Sequence, residues 1–142
     1  MNRDLIAKAS VTINAMVDNV WDALVNHDAV RLYMFGTTVV TDWREGSPIA
    51  WKGEWKDKPY EDKGVVLQFK SGRSLRYSHF SPLSGLPDKP ENYHTVTIEL
   101  TGDGHRTRVS LAQDNNATGQ AREHSEKNWE AMLAALKKFL EQ

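Results

Sequence analysis

Apolar and polar residues alternate in the segment LIAKASVTI, at residues 5–13. A period of two residues places the apolar side chains on one face and predicts a half-buried β-strand. The apolar residues of the next segment, VDNVWDALV, recur every three or four positions, which predicts a short amphipathic helix. The segment NHDAVRLYMF predicts a second short helix, capped by Asn26 or Asp28. The pattern therefore predicts a strand followed by two short helices.

From Gly36 onwards the apolar residues return to a period of two. This alternation predicts strands at about 37–43, 48–56, 62–70, 73–80, 93–101 and 105–113. The intervening segments REGSP, KDKPY, KSGRS and TGDGH combine glycine or proline with polar residues, as turns do. Because these connections are short, we expect neighbouring strands to run antiparallel. The charge-dense segment EWKDKPYEDK is interpreted as a solvated hairpin end.

One connection, SPLSGLPDKPENY at residues 81–93, is longer than the others and rich in proline. Loops of this length often act as lids or contact surfaces. The prolines also suit a rigid, extended spacer without a binding role. The sequence leaves both interpretations open.

The last pattern is a stripe of apolar residues in NWEAMLAALKKFLEQ, led by Trp129 and spaced as on one face of a helix. It predicts a helix from about 118 to 140, which is about 33 Å long at the rise of an α-helix. Such a helix crosses a whole sheet and buries its stripe against the apolar face. We therefore predict an α+β fold in a single domain, residues 1–142, in which a curved antiparallel sheet is wrapped around a long C-terminal helix.

The predicted order β-α-α-β6-α is that of the helix-grip, or Bet v-like, fold. The segments VWDAL, TDWREGSPIAW, KGVVLQFKSGRSLRYSHFSP, TVTIEL, TRVSLAQDN and HSEKNWEAMLAALKKFLE resemble the activator of heat-shock protein 90 ATPase homologue-like family. This family belongs to the START-like, or SRPBCC, superfamily, which also contains polyketide cyclase/dehydrase domains. The sequence departs from the family pattern at Asn128, where glycine is usual, and at His79, where tryptophan is common.

The resemblance implies a deep cavity between the sheet and the C-terminal helix. Superfamily members include lipid and hormone carriers, cyclases, oxygenase domains and chaperone regulators, so the fold does not determine the function. The family name implies a chaperone partner. The eukaryotic activators, however, carry an additional N-terminal chaperone-binding domain that we do not find in this sequence.

Composition narrows the classes of function. The chain has 18 lysine and arginine residues against 19 aspartate and glutamate residues, whereas nucleic-acid binders usually have a clear basic excess. The absence of cysteine excludes disulfides, thiolate zinc sites and cysteine nucleophiles. Because we find neither a signal peptide nor an apolar segment long enough to span a bilayer, we expect a cytoplasmic protein without membrane insertion. Separately, we expect either a monomer or a homodimer.

Strand alternation places polar and aromatic side chains on the predicted concave face. Tyr77 and His79 share a face of one strand, and Trp51 and Gln113 lie on the apolar faces of two others. An apolar space with a few polar groups is typical of a small-ligand site. The predicted ligand-binding residues are Trp51, Trp55, Phe69, Tyr77, His79, Gln113, Arg122 and Trp129. For Tyr77, Trp51 and Gln113 the alternative is an ordinary core or strand-end position in which each makes a hydrogen bond.

Arg122 and His79 have the most specific chemistry in this set. Arg122 lies seven residues before Trp129 and hence on the same helix stripe, where its guanidinium could bind a carboxylate or phosphate. In the alternative, Arg122 lies in a frayed first turn with its charged head in water. His79 could act as an acid, a base or an orienting donor, because its charge changes near neutral pH. The alternative is a core histidine with satisfied hydrogen bonds.

Motifs of several enzyme classes are missing from the sequence. The histidines and carboxylates show no metal-ligand spacing such as H-E-x-x-H, and we find no P-loop, dinucleotide fingerprint or G-x-S-x-G motif. We therefore expect no metal and no other cofactor. The predicted function is the binding of a small hydrophobic or aromatic ligand between the sheet and the C-terminal helix, without covalent chemistry. The alternatives are a chaperone-regulating interaction domain and a cyclase-like enzyme in which His79 and Tyr77 move protons.

Overall fold

The computed structural model of the protein describes residues 5–55 and 57–141, and for Trp55 the backbone alone. Seven strands and three α-helices follow one another along these residues. Their bounds are β1 Ala7–Ile13, α1 Val17–Val25, α2 His27–Tyr33, β2 Thr38–Val40, β3 Pro48–Trp55, β4 Lys58–Lys70, β5 Ser74–His79, β6 His94–Gly102, β7 Thr107–Gln113 and α3 Gly119–Leu140. The strands form one sheet in the order β1-β7-β6-β5-β4-β3-β2.

The predicted fold is confirmed. A curved antiparallel sheet carries a long carboxyl-terminal helix, as in the helix-grip fold. The first strand, β1, pairs with the last, β7, with Ala7 opposite Gln113 and Ile13 opposite Thr107. Among the described helices, none is both long and apolar enough to cross a membrane.

The core lies between the inner face of the sheet and α3. On β7 every second residue is buried, namely Thr107, Val109, Leu111 and Gln113. α3 covers this face with the buried residues Met132, Leu133 and Leu136. Since burying a side chain of this size stabilises a protein by about 1.5–3 kcal/mol, the apolar stripe is the main attachment of α3.

The two short helices extend the core beyond the sheet. α1 buries Val20, Trp21, Ala23 and Leu24. α2 begins after Asn26, whose side-chain oxygen accepts hydrogen bonds from the backbone N–H groups of Asp28 at 3.0 Å and Ala29 at 3.1 Å. Of the two predicted caps, Asn26 is therefore the one used. Asp28 lies in the first turn, where a negative charge favours the helix dipole.

β2 is shorter than the alternation predicts. The predicted strand extends to residue 43, whereas β2 ends at Val40. Trp43 has a φ of 57°, in the left-handed region, which interrupts the extended backbone. Its indole N–H donates to the carbonyl oxygen of Val25 at 2.8 Å. The chain therefore turns at this point to seat Trp43 against the end of α1.

The proline-rich loop, residues 81–93, is tied to the sheet. Asp88 forms an ion pair with Lys63 of β4 and accepts a hydrogen bond from the Tyr93 hydroxyl at 2.6 Å. The Tyr93 ring stacks on Phe80, with ring centroids 5.2 Å apart. We call Lys63, Asp88 and Tyr93 the loop latch. The loop is thus a folded segment with two 3-10 turns rather than an extended spacer.

We expect Asp88→Asn to loosen this loop in a pH-dependent way. Hydrogen bonds from Lys63 and Tyr93 hold the pKa of Asp88 below its ordinary value. A carboxyl group with a lowered pKa stabilises the docked loop above the ordinary aspartate pKa of about 3.9, and this contribution is lost as the pH falls through the lowered pKa. Hydrogen exchange at the Asn92 and Tyr93 amides, corrected for intrinsic rates, should show weaker protection in the variant near neutral pH. Wild-type protection should fall on acidification.

Asp103→Asn is the matched control for the loop latch. In the wild type, the Asp103 carboxylate accepts hydrogen bonds from the backbone N–H groups of Arg106 and His105, and these bonds lower the pKa of Asp103. These contacts lie in the β6–β7 hairpin, so the control should change protection there and leave the loop unchanged. Equal loop protection in the wild type and Asp88→Asn would contradict the latch.

Candidate functional site

Three aromatic side chains meet on the inner face of the sheet, towards the carboxyl end of β5. The Trp51 ring, on β3, lies 5.0 Å from the Tyr77 ring and 5.0 Å from the His79 ring. β4 runs between β3 and β5, and its Gly64, which has no side chain, lies close to the backbone of Ser78. The structure therefore brings together three of the predicted ligand-binding residues.

Asp62 joins this cluster from β4. Its Oδ2 lies 2.9 Å from Nε2 of His79, and the side chains of His79 and Asp62 are 27% and 16% exposed. Because a carboxylate only accepts hydrogen bonds, Nε2 is the donor. The second carboxylate oxygen, Oδ1, is buried and has no hydrogen-bond partner among the described residues. Asp62 and His79 are called the carboxylate–imidazole pair below.

Asp62 is the first of two residues at this site that the sequence did not reveal. The interpretation of EWKDKPYEDK as a solvated hairpin end is wrong for this residue, because Asp62 packs against the inner cluster. Strand alternation contains a signal for it, since Asp62, Gly64 and Val66 share one face and Val66 is fully buried. The neighbouring charges, Glu61 and Lys63, are exposed.

Tyr77 is the most deeply buried polar member of the cluster. Burial raises the pKa of Tyr77 far above its ordinary value, so its side chain is a neutral phenol at physiological pH. Burial and the closeness of Tyr77 also raise the pKa of Tyr33, on α2. The Tyr33 hydroxyl donates to the carbonyl oxygen of Leu24 at 3.3 Å. The two tyrosines therefore add polarity without charge to this part of the interior.

His94, on β6, is a second residue that the sequence analysis did not select. It is the strand partner of His79, and the two ring centroids are 6.4 Å apart. Its Nδ1 lies 2.8 Å from the carbonyl oxygen of Asp114 and is therefore the donor. Within residues 5–55 and 57–141, no three histidine or carboxylate side chains are arranged to hold a metal ion.

Polar contacts fix the amino-terminal half of α3 to the end of β7. The amide oxygen of Gln113 accepts a hydrogen bond from the indole N–H of Trp129. Asn116 donates to the carbonyl oxygen of Gln113 at 3.1 Å and accepts from the Ser125 hydroxyl at 3.1 Å. Two predicted ligand-binding residues, Gln113 and Trp129, therefore bond to each other. Their contact with a ligand stays a prediction.

Arg122 lies in the first turn of α3. Its backbone N–H donates to the carbonyl oxygen of Thr118 at 3.0 Å, so this turn is formed rather than frayed. Nη1 lies 4.0 Å from the carboxylate of Glu126, and the Arg122 side chain is 37% exposed. Nε is buried and has no hydrogen-bond partner among the described residues. Arg122 is thus a partly desolvated cation with an unused donor.

Phe69 belongs to a different aromatic cluster. Its ring lies 5.3 Å from Trp21 and 6.0 Å from Trp43. In the described part of the chain, no ring contact joins Phe69 to Trp51 or Tyr77. Trp55 is the remaining predicted ligand-binding residue, and its side chain is outside the described part of the structure.

Surface grooves lie on other parts of the molecule. Five of them have volumes between about 390 and 830 Å³, and none of the five is lined by Trp51, Tyr77 or His79. The groove of about 830 Å³ runs along β2 and β3 and includes Val40 and Ala50 in its lining. The predicted cavity between the sheet and α3 therefore stays a prediction.

The chain is similar to a known protein family over most of its length. Residues 14–141 match the family described as activator of Hsp90 ATPase homolog 1-like protein. The chain belongs to this family. The resemblance noted in the sequence is thereby confirmed for almost the whole chain.

Solved structures extend the comparison beyond the family description. The protein ChR145 from Cytophaga hutchinsonii is 59% identical over 99% of this chain and 97% of that chain, with a TM-score of 0.86. DynU16, from the dynemicin biosynthetic locus, is 18% identical over 98% of this chain and 48% of that chain, with a TM-score of 0.79. The Aha1 dimer from Colwellia psychrerythraea is 17% identical over 95% of each chain, with a TM-score of 0.72. The latter two similarities show the fold alone. No curated protein matches the chain.

Proposed function

We propose that this member of the activator-like family binds a small hydrophobic or aromatic molecule between the inner face of the sheet and α3. The observation that carries the proposal is the contact of Trp51 with Tyr77 and His79, beside an Asp62 Oδ1 that has no partner among the described residues. Aromatic walls with a few convergent polar groups are typical of small-ligand sites.

The unpaired carboxylate oxygen argues against a purely structural core. A buried polar atom without a partner destabilises a fold by about 1–3 kcal/mol, and by more if the group is charged. A structural cluster gains nothing from such an atom. A ligand that donates a hydrogen bond to Oδ1 offsets this cost, which makes ligand binding the more economical explanation of Asp62.

Native mass spectrometry of the freshly purified protein tests the proposal directly. A retained small molecule would support it and begin to identify the ligand. Thermal unfolding with a panel of aromatic compounds is the second arm, because a ligand at about 100 times its Kd stabilises the folded state by about 2.7 kcal/mol. The absence of both a retained molecule and any rise in Tm would contradict the proposal.

We expect Arg122→Ala to weaken the binding of anionic aromatic ligands and to leave folding intact. The guanidinium has a buried donor that finds no partner within the described part of the chain, and hydrogen bonds to charged groups are worth about 1.5–3 kcal/mol. The affinity for 2-naphthoate, measured by isothermal titration calorimetry, should therefore fall by about tenfold or more. The affinity for naphthalene-2-carboxamide, which has no charge, should change little.

Lys127→Ala is the matched control for Arg122→Ala. Lys127 is an exposed cation on the same helix, so its removal changes the net charge equally without touching the buried donor. Equal affinity for 2-naphthoate in the wild type and Arg122→Ala would remove Arg122 from the site.

The family description favours chaperone regulation as a second candidate function. The proline-rich loop is the candidate contact surface, because Leu83 and Leu86 are exposed there. This function predicts that the purified protein stimulates the ATPase turnover of a heat-shock protein 90. The double variant Leu83→Ser/Leu86→Ser should lose this stimulation. Unchanged turnover together with a ligand-dependent rise in Tm would favour the binding function.

A further inference from the structure

The carboxylate–imidazole pair is arranged as a proton acceptor. Asp62 Oδ2 accepts a hydrogen bond from Nε2 of His79 at 2.9 Å, so the neutral imidazole keeps its lone pair on Nδ1. Nδ1 has no hydrogen-bond partner among the described residues, and the His79 side chain is 27% exposed. A carboxylate that fixes one ring nitrogen and stabilises the imidazolium is the arrangement that positions histidine bases in enzymes.

The charges around the pair favour a neutral group at this end of the ligand. In the described part of the chain, His79 is the only ion-pair partner of Asp62, and the Oδ1 atom of Asp62 has no donor. A ligand carboxylate or phosphate beside this carboxylate would be repelled, strongly so in a partly buried site. A neutral hydroxyl group beside the pair avoids this repulsion.

The aromatic wall beside the pair favours a flat ligand. The Trp51 ring lies edge-on to the imidazole at 5.0 Å, and aromatic pairs in stacked or edge-on geometry gain about 0.5–1.5 kcal/mol beyond their burial. A ring bound against Trp51 would carry its substituent towards His79. Aromatic hydroxyls combine this shape with a weakly acidic proton.

We propose that the carboxylate–imidazole pair takes a proton from the weakly acidic hydroxyl, phenolic or enolic, of an aromatic molecule bound against Trp51. This inference rests on the proposed function, because the molecule must first bind between the sheet and α3. In the step, the ligand O–H bond breaks and an N–H bond forms at Nδ1 of His79. The electron pair stays on the ligand oxygen, and the Asp62 carboxylate balances the imidazolium. No further reactant is consumed.

4-Nitrophenol is a suitable probe, because its phenolate absorbs visible light and its phenol form does not. We expect the protein, at about pH 7.5, to bind the probe and to raise its phenolate-to-phenol ratio at least about tenfold above the ratio in buffer. The reason is that an opposite charge within hydrogen-bonding distance shifts a proton equilibrium by about one to three pKa units. Binding itself is measured separately, by equilibrium dialysis.

Two variants test the roles of the pair. Asp62→Asn should return the phenolate-to-phenol ratio of the bound probe to its value in buffer, because the imidazolium loses its carboxylate; the ratio is taken on the fraction that equilibrium dialysis shows to be bound. His79→Gln should have the same effect, and it serves as the second test if Asp62→Asn does not fold. His105→Gln is the control, since His105 is an exposed histidine in the β6–β7 hairpin, and its ratio should equal that of the wild type.

The outcomes separate this inference from the proposed function. If the wild type binds 4-nitrophenol only as the neutral phenol, or if both variants keep the raised ratio, proton transfer is overturned and ligand binding stands. If the wild type binds benzylammonium but not 4-nitrophenol, the pair is a cation site and the inference is wrong. If 4-nitrophenol does not bind while native mass spectrometry finds another retained molecule, the inference fails and the proposed function survives.

Discussion

Gly64→Ala is expected to destabilise the protein by about 3 kcal/mol. A Cβ atom at this position would lie 1.7 Å from the carbonyl oxygen of Ser78 and 2.6 Å from its carbon. These are backbone atoms of the neighbouring strand, so no side-chain rotation can relieve the overlap. The wild-type backbone therefore has no space for any side chain at residue 64.

The strand pairing around Gly64 prevents a small local adjustment. Lys63 and Phe80 exchange backbone hydrogen bonds of 3.0 and 2.8 Å on one side, and Val66 pairs with Tyr77 on the other. The Ser78 hydroxyl also accepts a hydrogen bond from the Val65 N–H at 2.9 Å. Making room for a methyl group must separate β4 from β5 and weaken these bonds. Urea denaturation followed by tryptophan fluorescence measures the loss.

Gly119→Ala is the control for this prediction. A Cβ atom on Gly119 would meet nothing within 4 Å, and alanine is the better helix former at the start of α3. This variant should be as stable as the wild type or slightly more stable. A Gly64→Ala protein with wild-type stability would contradict the close approach of β4 and β5 at this residue.

Gly64 also illustrates which parts of the fold were predictable. The period-two segments and the apolar stripe led by Trp129 predicted the sheet and α3, because each pattern depends only on neighbouring residues in the chain. The requirement for glycine at residue 64 arises from Ser78, which belongs to another strand. Such close approaches depend on strand register, which the pattern of a single strand does not specify.

At the candidate site, strand alternation predicted the faces of the side chains but not their partners. Alternation correctly put Trp51, Tyr77 and His79 on inward faces, and the structure brings them into contact. It could not predict that Asp62 reaches His79, because these residues lie on different strands. The charged residues around Asp62 also made its segment resemble a solvent-exposed turn. The local pattern predicts the face of the sheet on which a side chain lies. The contacts of that side chain with other strands can be known only from the fold.

The turn at Trp43 is a third feature that the local sequence pattern did not predict. Its segment alternates as a strand, yet its φ of 57° turns the chain away. The hydrogen bond from its indole to the carbonyl oxygen of Val25 and its ring contact with Phe69 fix this turn. Tertiary packing therefore overrides the local tendency to extend, as is common for short edge segments.

Leu136→Ala is expected to destabilise the protein by about 2–5 kcal/mol, as for other large-to-small substitutions in a core. Leu136 is fully buried, between α3 and the rest of the core. Its removal leaves a cavity under the helix that grips the sheet, since Met132 and Leu133 hold the adjacent turn in place. Differential scanning calorimetry should therefore show a clear fall in Tm.

Lys138→Ala separates this packing effect from a change in the helix itself. Lys138 lies two residues later, in the last turn of α3, and is exposed. Its replacement by alanine keeps helix propensity and should alter the free energy of unfolding by less than about 0.5 kcal/mol. If Leu136→Ala cost no more than Lys138→Ala, the apolar stripe would not hold α3 on the sheet. The space proposed for a ligand between them would then lose its wall.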